Sequence, residues 1–352
     1  VPRINKTSDL AGRLKKFWDY APSKNLIYLI SQPADIFYLL GQEFAPDVFL
    51  TIGPKKSELN LFCPTLLADD FIKKIPAAVK INNSRLNEEY LLKKNLPVAI
   101  NPRNLNGEFL LRLKKSLGRR LHFYNFTDNW RMIKDDGEIA IMRQAAKIIA
   151  RIVRQAWSLL RRGIKEKELA RWIVTEIEKA GGEPAFYPIV AFGKNTAWPH
   201  HRSGETIFTG KGPVLIDAGC RLNGYCSDIT RAGYFAYGLV PDKLYLKVYE
   251  TVKEAKNAAE KFLKAGKTFA EVDNLARKII SAAGFGDNFV HGLGHGIGIE
   301  VHEPPQPRKD VVLETNMVFT VEPGIYLADK FGVRLEDTIL LTRKGPEILT
   351  FK

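Results

Sequence analysis

Residues 213–235 read PVLIDAGCRLNGYCSDITRAGYF, two β-rich runs on either side of Asn223-Gly224, the strongest short signal for a two-residue hairpin turn. Closing the hairpin at that dipeptide sets Asp228 opposite Gly219 and Asp217 opposite Thr230. Side chains alternate along a strand, so positions 217 and 219 share a face and the two aspartates project to the same side as diagonal neighbours. Carboxylates held together in a partly buried hairpin repel each other unless a proton or a cation lies between them. The bland alternative is two unrelated aspartates, one of them capping a turn. The same parity sends Cys220 and Cys226 to opposite sides, which argues against a disulfide between them. Together with Cys63, the remaining cysteine, they form neither a disulfide framework nor a CxxC pattern, as in a reducing compartment.

Downstream, residues 290–305 read VHGLGHGIGIEVHEPP. Gly292, Gly294, Gly296 and Gly298 let the backbone pass close to another element or a ligand, and no Lys-Ser/Thr pair follows to make a phosphate loop. His291, His295 and His302 are half of the six histidines in the chain. A lone histidine is more often a satisfied core residue; three beside such a loop favour a metal ligand with acid–base partners. Two further acids interrupt apolar strand-like runs, Glu322 in MVFTVEPGIYL and Glu336 in GVRLEDTILLT. A carboxylate on a buried strand is costly unless paired or bound to metal. The alternatives are that alternation turns each to solvent, or that it pairs with a neighbour such as Arg334. Asp217, Asp228, Glu322 and Glu336 together carry four negative charges, which two divalent cations would balance. One histidine with bridging carboxylates suits manganese, cobalt, zinc or iron, and a dinuclear site supplies hydroxide at neutral pH and polarises a carbonyl.

The surroundings of these motifs read as a diverged repeat. A long helix running to Gly163 is followed by the helix KEKELARWIVTEIEKA, which stops at Gly181; a long helix to Gly266 is followed by FAEVDNLARKIISAA, which stops at Gly284. Each pair precedes histidine (His200; His291 and His295) and then two acids (Asp217 and Asp228; Glu322 and Glu336), an order that predicts two related halves facing one site. Asp135-Asp136 mark the N-terminal turn of the first long helix, and the domain boundary is placed near residue 131. Before it, Lys24–Ser31, Asp47–Ile52, Leu61–Cys63 and Pro97–Ile100 read as strands, and Asp9–Tyr20 and Asn106–Leu117 as amphipathic helices, a small α/β domain without a catalytic motif.

The chain carries 53 Lys+Arg against 39 Asp+Glu, a net charge of +14. Residues 1–131 hold 21 against 12 of these, scattered as pairs such as Lys55-Lys56 and Lys93-Lys94. That is the pattern of solvated faces, with no nucleic-acid-binding signature beside it, so no nucleic-acid partner is expected. No run of apolar residues is long enough to span a membrane. The first ten residues contain no signal-like apolar stretch, which predicts a cytoplasmic protein.

Taken as an ordered set, LIDAG, SDITR, HGLGHGIG, VHEPP, TVEPGIY and VRLEDT resemble the pita-bread metallopeptidases of family M24, in the Xaa-Pro branch that contains aminopeptidase P and prolidase. The resemblance covers nearly the whole chain and implies an α+β fold. A C-terminal pita-bread catalytic domain, residues 132–352, would follow a smaller α/β domain of creatinase/prolidase type, residues 1–131. It further implies hydrolysis of the Xaa-Pro bond in dipeptides or at the N-terminus of peptides by a hydroxide bridging two divalent metal ions, manganese first among them. Asp217 would bind one ion, His295 and Glu322 the other, and Asp228 and Glu336 would bridge them. Glu322 would also be the general base. His302 resembles the histidine that stabilises the tetrahedral intermediate or shuttles a proton, and His200 and His291 resemble substrate-pocket histidines, with His201 an adjacent alternative to His200. Arg308 resembles the arginine that holds a dipeptide's carboxylate in some prolidases, unless it is a surface loop arginine. Arg334 would orient Glu336 or a water, or serve as a structural ion pair. Family members imply a homodimer. The competing readings are a non-catalytic peptide-binding module and a creatinase-like hydrolase without metal.

Overall fold

The computed structural model describes residues 10–54, 58–63, 73, 75–102, 105–124, 128–235, 241–307 and 310–350. The chain divides into two units, Val1–Arg131 and Met132–Lys352. Among the described residues, the first unit carries six strands, β1 (Ile27–Ile30), β2 (Phe49–Ile52), β3 (Leu59–Phe62), β4 (Val79–Asn82), β5 (Val98–Ile100) and β6 (Leu121–Phe123), in one sheet of order β4-β3-β2-β1-β5-β6. β1 pairs antiparallel with β2 and parallel with β5. It is buried along its whole length, which is why its sequence is a continuous apolar run rather than an alternation. Ile27, Leu29, Val98 and Ile100 meet Leu113 and Leu117 of helix Gly107–Leu117, while Tyr28 packs edge-on against Phe17 of helix Leu10–Tyr20. Among the elements that escape the sequence reading are β4, β6 and the helices Pro33–Leu40, Glu88–Lys93 and Asp128–Met132. The two strands are short, and parallel neighbours far along the chain define them. The first helix, PADIFYLL, is buried from Asp35 to Leu40 and apolar there except for Asp35, so its apolar positions do not fall on a single face.

In the second unit the first long helix, Asp136–Ser158, opens with the expected acidic turn. Asp135 Oδ1 accepts from the Glu138 N–H at 2.8 Å and Glu138 returns the bond to the Asp135 N–H, a complete capping box. The helix stops at Ser158, short of the expected end at Gly163. The strands that follow are β7 (Glu183–Pro184), β8 (Ile189–Phe192), β9 (Gly212–Leu222), β10 (Tyr225–Phe235), β11 (Val318–Val321), β12 (Gly324–Leu327), β13 (Phe331–Arg334), β14 (Asp337–Thr342) and β15 (Gly345–Ile348). They form the sheets β10-β9-β7, with β8 also on β9, then β11-β14-β15 and β12-β13. Asn223 and Gly224 take φ of 46° and 83°, the left-handed pair of a tight hairpin turn. β9 and β10 pair in the expected register, Asp228 opposite Gly219 and Asp217 opposite Thr230.

The repeat is visible in the hydrogen bonds. The N–H of Gly163 donates to Phe208 O and that of Gly266 to Leu313 O, both at 2.9 Å, and Phe208 and Leu313 return bonds to Ile164 O and Lys267 O. Each ladder introduces a second helix, Glu166–Lys179 in one half and Phe269–Ala282 in the other. Helices Lys243–Phe262 and Phe269–Ala282 cover the second half's strands, with Val248, Val252 and Val272 in one core with Phe319, Val321, Val333 and Ile339. The halves are stitched at Thr338, whose hydroxyl donates to Asp228 O and accepts from the Asp228 N–H.

The hairpin turn therefore sets the position of both aspartates. Gly224→Val, which forces a β-branched residue to φ 83°, is expected to cost about 1–3 kcal/mol, read as a lower midpoint in thermal unfolding followed by circular dichroism.

Candidate metal centre

Asp217 and Asp228 sit mid-strand on β9 and β10 and are buried. Glu322 and Glu336 differ from the sequence expectation. Each lies in the break between two strands, β11 and β12 for Glu322, β13 and β14 for Glu336. Their N–H groups leave the local ladders, Glu322 donating to Leu293 O at 2.7 Å and Glu336 to Thr230 O at 3.1 Å. The interruption frees each side chain from strict alternation and turns it inward: Glu336 is buried and Glu322 partly buried. The glycine loop lies against β11, with Thr320 N–H donating to His295 O and the His295 N–H to Thr320 Oγ1 at 3.0 Å. A Cβ on Gly294 would run into the Thr320 carbonyl, so this glycine serves contact with another element rather than a ligand.

These segments converge. One ligand atom from each of Asp228, His295 and Glu336 lies within 4.8 Å of the others. His295 Nε2 is 3.4 Å from Glu322 Oε1 and 4.0 Å from Asp228 Oδ2. Asp217 Oδ2 accepts from Arg334 Nη2 at 2.6 Å, Glu336 Oε2 from the Thr230 hydroxyl at 2.6 Å, and Glu322 Oε1 from the Thr320 hydroxyl at 3.3 Å. Of the remaining oxygens, Asp217 Oδ1, Asp228 Oδ1 and Glu336 Oε1 are buried without a hydrogen-bond partner among the described residues. Such atoms are rare in folded proteins and demand a partner.

The histidine tautomer points the same way. His295 Nδ1 lies 3.1 Å from Gly296 O, a group that can only accept, so Nδ1 carries the proton. Burial, reinforced by nearby His302, pulls His295 down to about 3, so the ring is neutral and Nε2 presents a lone pair to two carboxylates. Lone pair against lone pair is repulsive; a cation between them reverses the sign, and a backbone carbonyl on the far nitrogen is the usual support of a metal-bound histidine. The donor set of carboxylate oxygens and one imidazole fits divalent ions of the manganese-to-zinc series.

Without a cation, Asp228, Glu322 and Glu336 bind protons more readily than ordinary carboxylates. Burial, with Glu336, Asp217 and Glu322 as like charges, pushes Asp228 well above the usual carboxylate range. Burial, with Glu322 and Asp217, does the same to Glu336. Glu322 is pushed up to about 8, chiefly by burial and then by Asp217 against the opposing pull of Arg334.

Arg334 is buried and takes neither glutamate as its main partner. It donates to Asp217, to Thr230 Oγ1 at 3.1 Å and to the Tyr326 hydroxyl at 2.7 Å, and reaches Glu336 only through Thr230. Tyr326, its hydroxyl pushed up to about 12 by burial, lies 2.8 Å from His291 Nε2. His291 Nδ1 faces Gly292 O at 2.8 Å, so His291 is protonated at Nδ1, accepts from Tyr326 at Nε2, and has both nitrogens engaged. His302 is exposed, its ring centroid 4.1 Å from that of His295. His200 is exposed and close enough to lower the basicity of both His291 and His302. His201 turns away, its Nε2 2.8 Å from Glu166, which separates the two adjacent histidines. Arg308 lies outside the described residues. Tyr326, Thr230 and Thr320 escape the sequence reading. A tyrosine or threonine hydroxyl inside a strand gives no signal of its own.

Residues 140–343 match the model of metallopeptidase family M24. An uncharacterized peptidase of Staphylococcus epidermidis is 34% identical over 332 residues, 91% of this chain and 93% of its own length. A Xaa-Pro dipeptidase of Pyrococcus furiosus is 40% identical over 223 residues, 62% of this chain and 63% of its own. The prolidase of Pyrococcus horikoshii superposes with a TM-score of 0.88 at 30% identity, covering 97% of this chain and 98% of that one. No helix among the described residues is long and apolar enough to cross a membrane.

The buried charges predict how chelated protein responds to pH. Glu322, Asp228 and Glu336 have raised folded-state pKa values, so the folded chain binds more protons than the unfolded one above the ordinary carboxylate range, and stability is lost as pH rises. His291, pulled down to about 4 chiefly by burial, and His295 oppose this only below their ordinary value of 6.5; lowered His302 acts in the same sense. Above neutrality the carboxylates act first, joined toward pH 9 by the thiols of Cys63, Cys220 and Cys226, which burial raises and which act in the same sense. The thermal midpoint of chelator-treated protein should fall between about pH 7 and pH 9, through the Glu322 value of about 8, and added manganese or zinc should raise and flatten the profile. A midpoint that is independent of both pH and metal in that window is the contrary result.

Proposed function

The chain belongs to metallopeptidase family M24, and from that premise we propose that it hydrolyses the bond preceding proline in Xaa-Pro dipeptides or at the N-terminus of Xaa-Pro peptides. The observation that carries the reading is the convergence of Asp228, His295 and Glu336 within 4.8 Å, with Glu322 Oε1 3.4 Å from His295 Nε2 and three buried carboxylate oxygens of Asp217, Asp228 and Glu336 lacking partners among the described residues, in a chain similar along nearly its whole length to a prolidase. Asp217 would hold one divalent ion, His295 and Glu322 a second, and Asp228 and Glu336 both, with manganese the first candidate and cobalt, zinc and iron the others. Bound there, the ions would acidify a water and polarise the scissile carbonyl.

The chain's own groups then divide the work. Glu322, steadied by the Thr320 hydroxyl, takes the proton released by the attacking water and returns one to the departing proline nitrogen. That nitrogen belongs to a tertiary amide and must gain a proton to leave. Arg334 orients Asp217 by donating to its Oδ2. His302, on the solvent side of His295, supports the developing oxyanion or moves a proton. His291 offers its ring face rather than a hydrogen bond, since both nitrogens are taken, and makes a wall suited to the apolar pyrrolidine. His200 supplies the remaining pocket histidine. Proline's missing N–H and fixed φ suit it poorly to extended-strand recognition, so a dedicated pocket is required. Residues 1–131 act as the creatinase/prolidase-type domain and 132–352 as the catalytic domain, in a homodimer.

Ala-Pro and Ala-Pro-Ala should be tested side by side after chelation and after return of manganese, cobalt or zinc. Activity is expected to vanish with chelator and return with metal. Cleavage of the dipeptide alone assigns a dipeptidase and makes Arg308 its carboxylate clamp; cleavage of the tripeptide assigns an aminopeptidase; inertness with every metal overturns the proposal. Glu322→Gln should lower kcat by about 10²-fold or more, and His302→Ala should lower kcat with little change in KM.

A further inference from the structure

Two buried carboxylates outside the metal cluster have hydrogen bonds that the catalytic reading does not use. Glu166, fully buried at the start of helix Glu166–Lys179, accepts at Oε1 from the Phe192 N–H at 2.8 Å and Asn195 Nδ2 at 2.9 Å. It accepts at Oε2 from His201 Nε2 at 2.8 Å and the Gly204 N–H at 3.2 Å. Its partners bracket the segment that presents exposed Trp198 and His200. Asp273, buried on helix Phe269–Ala282, accepts from the Leu293 N–H at 2.7 Å and from Arg277 Nε at 2.6 Å. Arg277 donates in turn to Phe289 O at 3.1 Å and to His291 O, so the loop is held on both sides of His291.

We propose that Glu166 and Asp273, each on the second helix of its half of the repeat, are positioning residues that hold the pocket histidines His200 and His291 by clamping the loops that carry them. The inference rests on the Xaa-Pro reading for what those histidines do, and on geometry alone for the clamp. Desolvating a carboxylate costs several kcal/mol unless its lone pairs are satisfied. Glu166 has four donors converging on it; burial raises its pKa, but these bonds outweigh that and hold it lowered. A carboxylate satisfied wholly by one loop binds that loop in one conformation. Neither acid bonds directly to a candidate metal ligand in the hydrogen bonds described; Glu166 acts through its histidine loop, while Asp273 also steadies Leu293, whose carbonyl accepts from the Glu322 N–H, so metal content is read alongside KM in its variant.

Glu166→Gln keeps the shape but turns one acceptor into an amide donor facing the Gly204 N–H and the His201 ring. It should raise KM about tenfold while metal content holds and kcat changes by less than about threefold. Combined with His200→Ala, it should add nothing to the loss of kcat/KM caused by His200→Ala alone, because both act through one group; additive losses overturn the proposal. Asp273→Asn should behave in the same way with His291. Histidine-ring NMR of zinc-loaded protein reads the clamp without substrate. In Glu166→Gln the His200 and His201 signals should shift or broaden while that of His302 holds, and an unchanged His200 signal overturns the proposal. Should Glu166→Gln not fold, Asn195→Ala removes one arm of the same clamp and is expected to give the same pattern. The wild-type rate on Ala-Pro judges the Xaa-Pro reading separately, and the ring signals judge the clamp whatever that rate is.

Discussion

Mutual repulsion among Asp217, Asp228, Glu322 and Glu336 is the constraint around which the second unit is arranged. At an effective dielectric of about 20, each pair of like charges about 4 Å apart costs about 4 kcal/mol, and one arginine cannot offset four carboxylates. The protein responds with direct support for part of the charge, Arg334 on Asp217 and threonine hydroxyls on Glu322 and Glu336. Three oxygens are left unsatisfied where a cation is needed. A neutral His295 with its lone pair turned inward completes a donor set that is unfavourable by itself and favourable around divalent ions.

The rest of the unit keeps those groups from relaxing apart. The β9–β10 hairpin holds two aspartates at fixed register. Strand breaks at Glu322 and Glu336 aim two glutamates inward, and the glycine loop lies so close to β11 that Gly294 tolerates no side chain. The stitches from Thr338 to Asp228 and from Glu336 to Thr230 join the two halves of the repeat across the cluster. Neither half holds a complete ligand set. Asp217 and Asp228 come from one half and His295, Glu322 and Glu336 from the other, so the site forms only when both are folded.

Around the cluster runs a second set of polar contacts that set direction rather than charge. Tyr326 lies between Arg334 and His291, so the arginine that orients Asp217 is linked through one hydroxyl to the His291 ring. Glu166 and the Asp273–Arg277 pair hold the histidine loops from behind. Loops carry such residues because they can approach a ligand, and buried acceptors on the flanking helices restrict the freedom that loops otherwise have.

Much of this was legible in the order of residues. Asn223-Gly224 with alternating flanks determines the hairpin, its register and the shared face of the aspartates, because a two-residue turn leaves no choice of pairing. Acid residues in apolar runs, and histidines among glycines, declare a costly interior that only metal or protons make tolerable. The matched helix–helix–histidine–acid order carries the two halves. Other features needed the folded chain. Tertiary neighbours alone define β4 and β6, too short for a period, and the buried helix Pro33–Leu40, apolar on nearly every side. That His201 turns to Glu166 while His200 stays near His291 and His302 depends on Glu166, a residue far along the chain. Arg334's choice of Asp217 over the nearer-numbered Glu336 follows from three-dimensional reach, not spacing. Periodicity and turn chemistry are local and survive in one dimension; hydrogen-bond partners across a cavity are chosen by distance and direction, which the linear order does not contain.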